Sequence, residues 1–283
     1  MNPLTEWNPL ALLQSPLFEP LQPVLARLGT CGFPALCDYN ALLLERQPHI
    51  AVHGGMPLRF VAQEPGRLPF EAQYEPRCYL KGEVQTRERN WHDLFNALVW
   101  LTFPKAKAAI NAQHYHSLIG APAGGTSQRG SRRDMLTLLD ESGVVVACAD
   151  TELDGLLRGF QWKYLFWHQR ERVNGAMGFY LLGHGLYEKA LRPYVGMTGQ
   201  GLLLKVEREF FAWPLAQRLI HLDELLAGFL AAPEGCQSPR ELTPVPLLGV
   251  PGWSEENKLP FFYDDCRYFR SGRLSSQIIN IPW

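Results

Sequence analysis

Nowhere in these 283 residues does an apolar run approach the 18 or so positions that a membrane-spanning helix needs. Surplus charge is missing as well. Lys+Arg 27 against Asp+Glu 28 gives a formal net charge of -1, so there is no sequence-independent pull toward nucleic-acid phosphates or anionic lipid. The six cysteines, Cys31, Cys37, Cys78, Cys148, Cys236 and Cys266, form no C-x-x-C pair. Scattered cysteines of this kind pack as small apolar side chains in a reducing compartment. The N-terminus carries Glu6 and the prolines Pro3, Pro9 and Pro16, which is not the charged start and unbroken apolar stretch of a signal peptide. A soluble, cytoplasmic protein is expected, with no membrane partner and no indication of nucleic acid. A small-molecule ligand is the partner class left in view; a protein partner stays open.

Linkers, charged blocks and repeats are absent too. The chain is therefore expected to form one globular domain over residues 1–270, with residues 271–283 as a C-terminal tail. A chain of this length buries roughly three quarters of its unfolded surface and needs no disulfide or structural metal.

What is present alternates between helical and extended patterns. Phe18, Leu21, Val24, Leu25 and Leu28 predict a short helix ended by Gly29, and Asp38 a cap for a second carrying Leu42 and Leu43. Gly54-Gly55 between Ile50, Val52 and Leu58, Phe60 predicts a tight hairpin. In NWHDLFNALVW (residues 90–100), Leu94, Phe95, Leu98 and Val99 mark a helix face, Asn90 its cap and Asp93 a first-turn carboxylate. Phe103-Pro104 either kinks that helix or starts a new one running to about Tyr115.

APAGGTSQRGSRR (residues 121–133) is a loop by composition. Residues 135–140 and 144–149 predict two strands around Glu141-Ser142-Gly143, a second hairpin. Helical spacing resumes from Thr151, whose pairing with Asp154 matches a capping pattern, through Trp167. Further expectations are a helix over residues 178–191, a strand over 202–206 and an amphipathic helix over 215–230. Helices and hairpins mixed without regular alternation favour an α+β fold with several helices and two or more β-hairpins.

His92 is the first candidate for chemistry. In the first turn of its helix the dipole disfavours imidazolium, and a neutral ring there can act as base or ligand. Asp140-Glu141 and Asp264-Asp265 are paired acids able to bind a divalent cation or share a proton, although turn chemistry by itself accounts for the first pair. His184, between Gly183 and Gly185, sits where backbone or ligand can approach closely, with Tyr180, Tyr187 and Glu188 on its face.

Lys107, Asn111 and His114 share a polar helix stripe, and Lys105 with Lys107 would burden the positive end of a new helix unless an anion lies nearby. Arg133, in the glycine- and arginine-rich loop, offers an anion contact. His114-Tyr115-His116 lacks zinc spacing, so no metal ligands are assigned and no cofactor is indicated. There is no His-Glu-x-x-His, nucleophile elbow or dinucleotide glycine fingerprint.

Residues 91–111 (WHDLFNALVWLTFPKAKAAIN) and 246–265 (PLLGVPGWSEENKLPFFYDD), with RRDMLTLLDESGVVVA and GHGLYEKALRPYVGMTG between them, resemble a proteobacterial family known as domain of unknown function 3025. The resemblance runs from about residue 18 to residue 270, and the last dozen residues lie outside it. It implies one domain and carries no activity or catalytic residues.

Two functions follow as expectations. One is a hydrolase for a small polar or phosphorylated substrate, with His92, Asp140, His184 and Asp265 as catalytic candidates and Arg133, Lys107, Asn111 and Asp264 binding the ligand. The other is a non-catalytic adaptor using the aromatics of residues 253–269. A third comparison, with His-Asp metal-dependent phosphohydrolases, rests on His92-Asp93 with His49 or His53 upstream and Asp134, Asp140 or Asp154 downstream.

Overall fold

The computed structural model describes residues 7–120, 127–232 and 234–272. It is a single-domain α+β fold with one four-stranded and one two-stranded sheet. Among the described residues no helix is long and apolar enough to cross a membrane.

The chain opens with α1 (Pro9–Gln14), a 3-10 turn (Pro16–Leu21) and α2 (Gln22–Leu25). The expected continuous helix over residues 18–28 is replaced by these short turns. Pro20 and Pro23 each remove a backbone donor and hold the first part in tighter geometry. Helix α3 (Leu36–Leu44) follows, with Asp38 at its third position accepting from the Ala35 N–H at 2.8 Å. Gly54-Gly55 does make a tight turn, closed by Val52 N–H to Met56 O at 3.0 Å and Leu58 N–H to Ile50 O at 2.9 Å. Beyond it, β1 (Arg59–Ala62) leaves the hairpin to pair parallel with β2 (Glu83–Thr86), across α4 (Tyr74–Lys81).

Helix α5 (Trp91–Thr102) starts where Asn90 accepts from the Asp93 N–H at 3.0 Å. Every residue from Leu94 to Thr102 is buried, the pattern of a central helix rather than a surface one. Phe103-Pro104 begins a new helix, α6 (Pro104–Ile119). The anion that Lys105 and Lys107 call for is present: Asp223 accepts from the Lys105 and Ala106 N–H groups at 3.0 and 2.8 Å.

Helix α7 (Ser127–Ser142) runs directly into β3 (Gly143–Cys148). This corrects the loop expected up to Arg133, of which residues 121–126 lie outside the described residues, and the hairpin expected over residues 135–149. Met135, Leu136 and Leu139 are buried while Thr137 and Leu138 are exposed. That is a helix face, not the period-2 alternation of a strand.

After β3, Asp150 caps α8 (Thr151–Arg158) by accepting from the Glu152 and Leu153 N–H groups, so the cap is one residue earlier than the Thr151 expected. The helical run expected through Trp167 breaks at Phe160, whose φ is 57°. It resumes as a π-helical turn (Tyr164–His168) and α9 (Arg170–Ala176).

The helix expected over residues 178–191 is instead β4 (Met177–Leu181) followed by α10 (His184–Ala190). The apolar run FYLL suits a strand buried beside β3. Then β5 (Thr198–Lys205), α11 (Leu215–Ala231) and β6 (Thr243–Pro246) complete the fold. The main sheet runs β4-β3-β5-β6, with β3 parallel to β5 and both outer pairs antiparallel. The central strand β3 is buried along its whole length.

Helix α11 packs along α6, and Asp223 caps α6 from there. Replacing Asp223 with Ala leaves two buried N–H groups unpaired. The expected loss is about 2–3 kcal/mol, read as a lower urea midpoint at unchanged slope.

Candidate active site

Three helix segments meet over one cleft. Helix α5 brings His92, α10 brings His184 and Glu188, and the C-terminal end of α7 brings Asp140 and Glu141. The contact between α5 and α10 is aromatic. Phe95, three residues after His92, stacks on Tyr187, three residues after His184, with centroids 5.7 Å apart. Phe18 lies 5.7 Å from both rings. Because residues three apart share a helix face, this packing also brings the two histidines together.

Gly183 sets the approach of α10 to α7. A Cβ there would lie 2.5 Å from the Ser142 and Gly143 nitrogens, so only glycine lets the two backbones come so close.

His92 Nε2 and His184 Nε2 are 3.0 Å apart. Glu141 Oε1 lies 3.8 Å from the first and 3.5 Å from the second. Each ring has a carboxylate on its far side: Glu188 Oε2 at 3.1 Å from His92 Nδ1, and Asp140 Oδ2 at 3.7 Å from His184 Nδ1. Lys107, only 3% exposed, donates from Nζ to Asp140 Oδ1.

The proton count follows from this network. Glu188 fixes the His92 proton on Nδ1, so His92 Nε2 presents a lone pair. With that tautomer, the 3.0 Å contact makes His184 Nε2 the donor. His184 Nδ1, which has no hydrogen-bond partner of normal geometry, then faces Asp140 Oδ2 at 3.7 Å.

The electrostatics agree. Burial pushes His184 down to about 4, against the pull of Asp140, so the ring is neutral near pH 7. Burial works against the Asp140 carboxylate, but Lys107 and His184 more than offset it and hold Asp140 below its ordinary value. Burial raises Glu141, with His92 opposing.

The centre opens on a cleft of about 600 Å³ whose walls include Arg67, Gln73, Glu75, Arg87 and Asn96. A smaller cavity of about 180 Å³ shares Asp140 and Glu141 with it and is also lined by His114, Arg133 and Thr137. Glu75 lines both. Asn111 donates to its Oε2 at 2.5 Å and to its backbone oxygen at 3.1 Å. Burial lifts Glu75 to about 7, with the Asn111 bond pulling the other way.

Of the residues singled out by sequence, His92, His184 and Asp140 meet at the centre. Lys107 is engaged by Asp140, Asn111 holds Glu75, and Arg133 lines the smaller cavity. Asp264 and Asp265 are elsewhere. Asp264 pairs with Lys163 at 2.6 Å, Asp265 accepts from the Arg267 backbone and guanidinium within its own turn, and neither lines either of these two cavities.

Asp93 is clamped by the Arg87 guanidinium, while His49, His53 and Asp134 are exposed and Asp154 pairs with Arg158. The His-Asp set is therefore not assembled beyond His92 and Asp140. Of the six aromatics over residues 253–269, Tyr263, Tyr268 and Phe269 are buried, Trp253 and Phe262 half-buried and Phe261 exposed.

Sequence reasoning did not select Glu75, Glu141 or Glu188 for the site. Glu141 was visible as the partner of Asp140, and Glu188 as the residue one turn beyond His184. Nothing local marks Glu75.

A family described as protein of unknown function (DUF3025) has a model matching residues 58–273, a stretch that includes every residue of this centre. No curated protein and no solved structure matches the chain.

The raised Glu75 carboxyl contributes stability that is fully present below its unfolded value near 4.5 and is lost as pH rises through about 7. In the metal-free chain, Glu75→Gln should therefore gain in melting temperature relative to the parent between pH 5 and pH 8. The opposite dependence of His184 is common to both proteins and cancels in the difference. A pH-independent difference would contradict the assignment.

Proposed function

The chain belongs to the DUF3025 family, and we propose that it is a metal-dependent hydrolase acting on a small polar or phosphorylated substrate. His92 Nε2, His184 Nε2 and Glu141 Oε1 hold a divalent cation. The observation that carries the reading is the convergence of these three atoms beside an orphaned His184 Nδ1.

A cation resolves the proton conflict. Both imidazoles then present Nε2 lone pairs to the metal, and the His184 proton moves to Nδ1, facing Asp140. Each ligand histidine thereby gains a carboxylate behind it, the usual arrangement at protein metal centres.

Spacing supports zinc. Metal–ligand bonds of about 2.05 Å at tetrahedral angles place ligand atoms about 3.4 Å apart. The observed separations of 3.0, 3.5 and 3.8 Å bracket that value. Three protein ligands leave a fourth position for water, and a cation lowers the pKa of that water to about 7. The 600 Å³ cleft is where a substrate would meet it. Its exposed Arg67 supports an acidic group on the substrate, as Arg87 is already engaged by Asp93.

Titrating metal-free protein with Zn2+ should show one equivalent bound. His92→Ala, His184→Ala and Glu141→Ala should each weaken it at least 100-fold, while His49→Ala leaves it unchanged. Gly185→Ala should also weaken it, because the added methyl would overlap the Glu141 carboxylate. The zinc-loaded protein should turn over ester, amide or phosphoester probes, with loss in the same three variants. Absence of a bound equivalent, or binding indifferent to both histidines, would sink the proposal.

A further inference from the structure

We infer that Glu75 is the acid–base group of this centre, exchanging protons between the metal-bound water, the leaving group and bulk solvent. The inference rests on the metal-centre reading above and extends it to a residue outside the ligand set.

Three carboxylates, those of Glu75, Asp140 and Glu141, line both the large cleft and the smaller cavity. Two of them are committed. Asp140 is bound by the buried Lys107 ammonium and stands behind His184, and Glu141 is a ligand. Glu75 remains. Asn111 holds its Oε2 and its backbone oxygen from α6, and the residue lines both cavities. A fixed carboxylate between two spaces can take a proton from one side and release it on the other. The smaller cavity leads outward past Thr137 and Arg133, both exposed.

The surroundings suit the task. Lys107 and His114 face the carboxyl from α6, and Arg133, Asp140 and Glu141 from α7. Cys78 and Tyr74 lie on its own helix, and His92, Asp93 and Asn96 line the same cleft from α5, with His184 from α10. Burial brings Glu75 to about 7, and a group that both accepts and returns a proton works best near the operating pH.

The step balances without a further reagent. An O–H bond of the water breaks and its proton goes to Glu75. The water oxygen forms a bond to the carbonyl carbon or phosphorus of the substrate. The bond to the leaving group breaks, its electron pair departs with that group, and Glu75 returns the proton to it.

Cobalt makes the test independent of knowing the substrate. The full chain is loaded with Co2+ and its visible spectrum followed from pH 5 to pH 9, in the parent and in Glu75→Gln. An ionised Glu75 near the water opposes hydroxide formation, as expected of two coupled groups. The parent midpoint should therefore lie at least half a pH unit above that of the variant. Glu75→Ala, which removes the carboxyl without an amide, should displace the midpoint in the same sense and serves if the glutamine variant does not fold. Superimposable curves for a variant that folds and binds Co2+ overturn the role of Glu75 alone. Failure of the parent to bind Co2+ overturns the metal centre, and this inference with it.

Discussion

The packing of α5 against α10 is the constraint on which the centre depends. Phe18, Phe95 and Tyr187 form a buried aromatic triangle between the two helices. Burying three such rings contributes on the order of 1.5–3 kcal/mol each, and stacked ring pairs add to that. This apolar contact holds two imidazoles 3.0 Å apart, an arrangement with no driving force of its own in water. Tyr187 is fixed in turn by its hydroxyl on Leu181 O at 2.7 Å, which ties α10 back to strand β4. The sheet, the aromatic triangle and the histidine pair are therefore joined by a continuous set of contacts.

A second requirement is charge balance in a space with little water. Lys107 holds Asp140 below its ordinary value against burial, and removing one partner of such a buried pair strands the other. Lys107 also lies 5.6 Å from the Trp100 ring centroid, where the π face favours its charge. The result is a fixed anion behind His184 beside a neutral ring. Glu188 does the same for His92 from the more open side. Glu75, held by Asn111, has its affinity for a proton raised by burial. The carboxyls of Glu75 on α4 and Asp140 on α7 thus shift in opposite directions because they differ in partners.

Several local features were legible in the sequence because they depend on neighbouring residues. The Asn90 cap, the central apolar helix after it and the break at Phe103-Pro104 all follow from side-chain type and spacing. A new helix at Pro104 would need an anion near Lys105 and Lys107, and Asp223, more than 100 positions away, supplies it. Two of the failures share one cause. Residues 135–140 and 177–182 are short apolar runs, for which helix and strand periods both fit. Which period wins is decided by what they pack against: β3 for the FYLL run, and the buried flank of Met135, Leu136 and Leu139 for α7.

The sequence by itself determined the α+β class, the starts of α5, α6 and α11, and His92, Asp140 and His184 as residues worth watching. It did so because caps, glycines and apolar spacing act over a few residues. Only the tertiary structure decided that Glu141 joins the two histidines, that Glu188 and Asp140 stand behind them, and that Asp264 and Asp265 stay with Lys163 and Arg267. Ligand geometry is a matter of distances of 3.0 to 3.8 Å between residues 43 to 92 positions apart, and the packing of helices and sheet sets those distances.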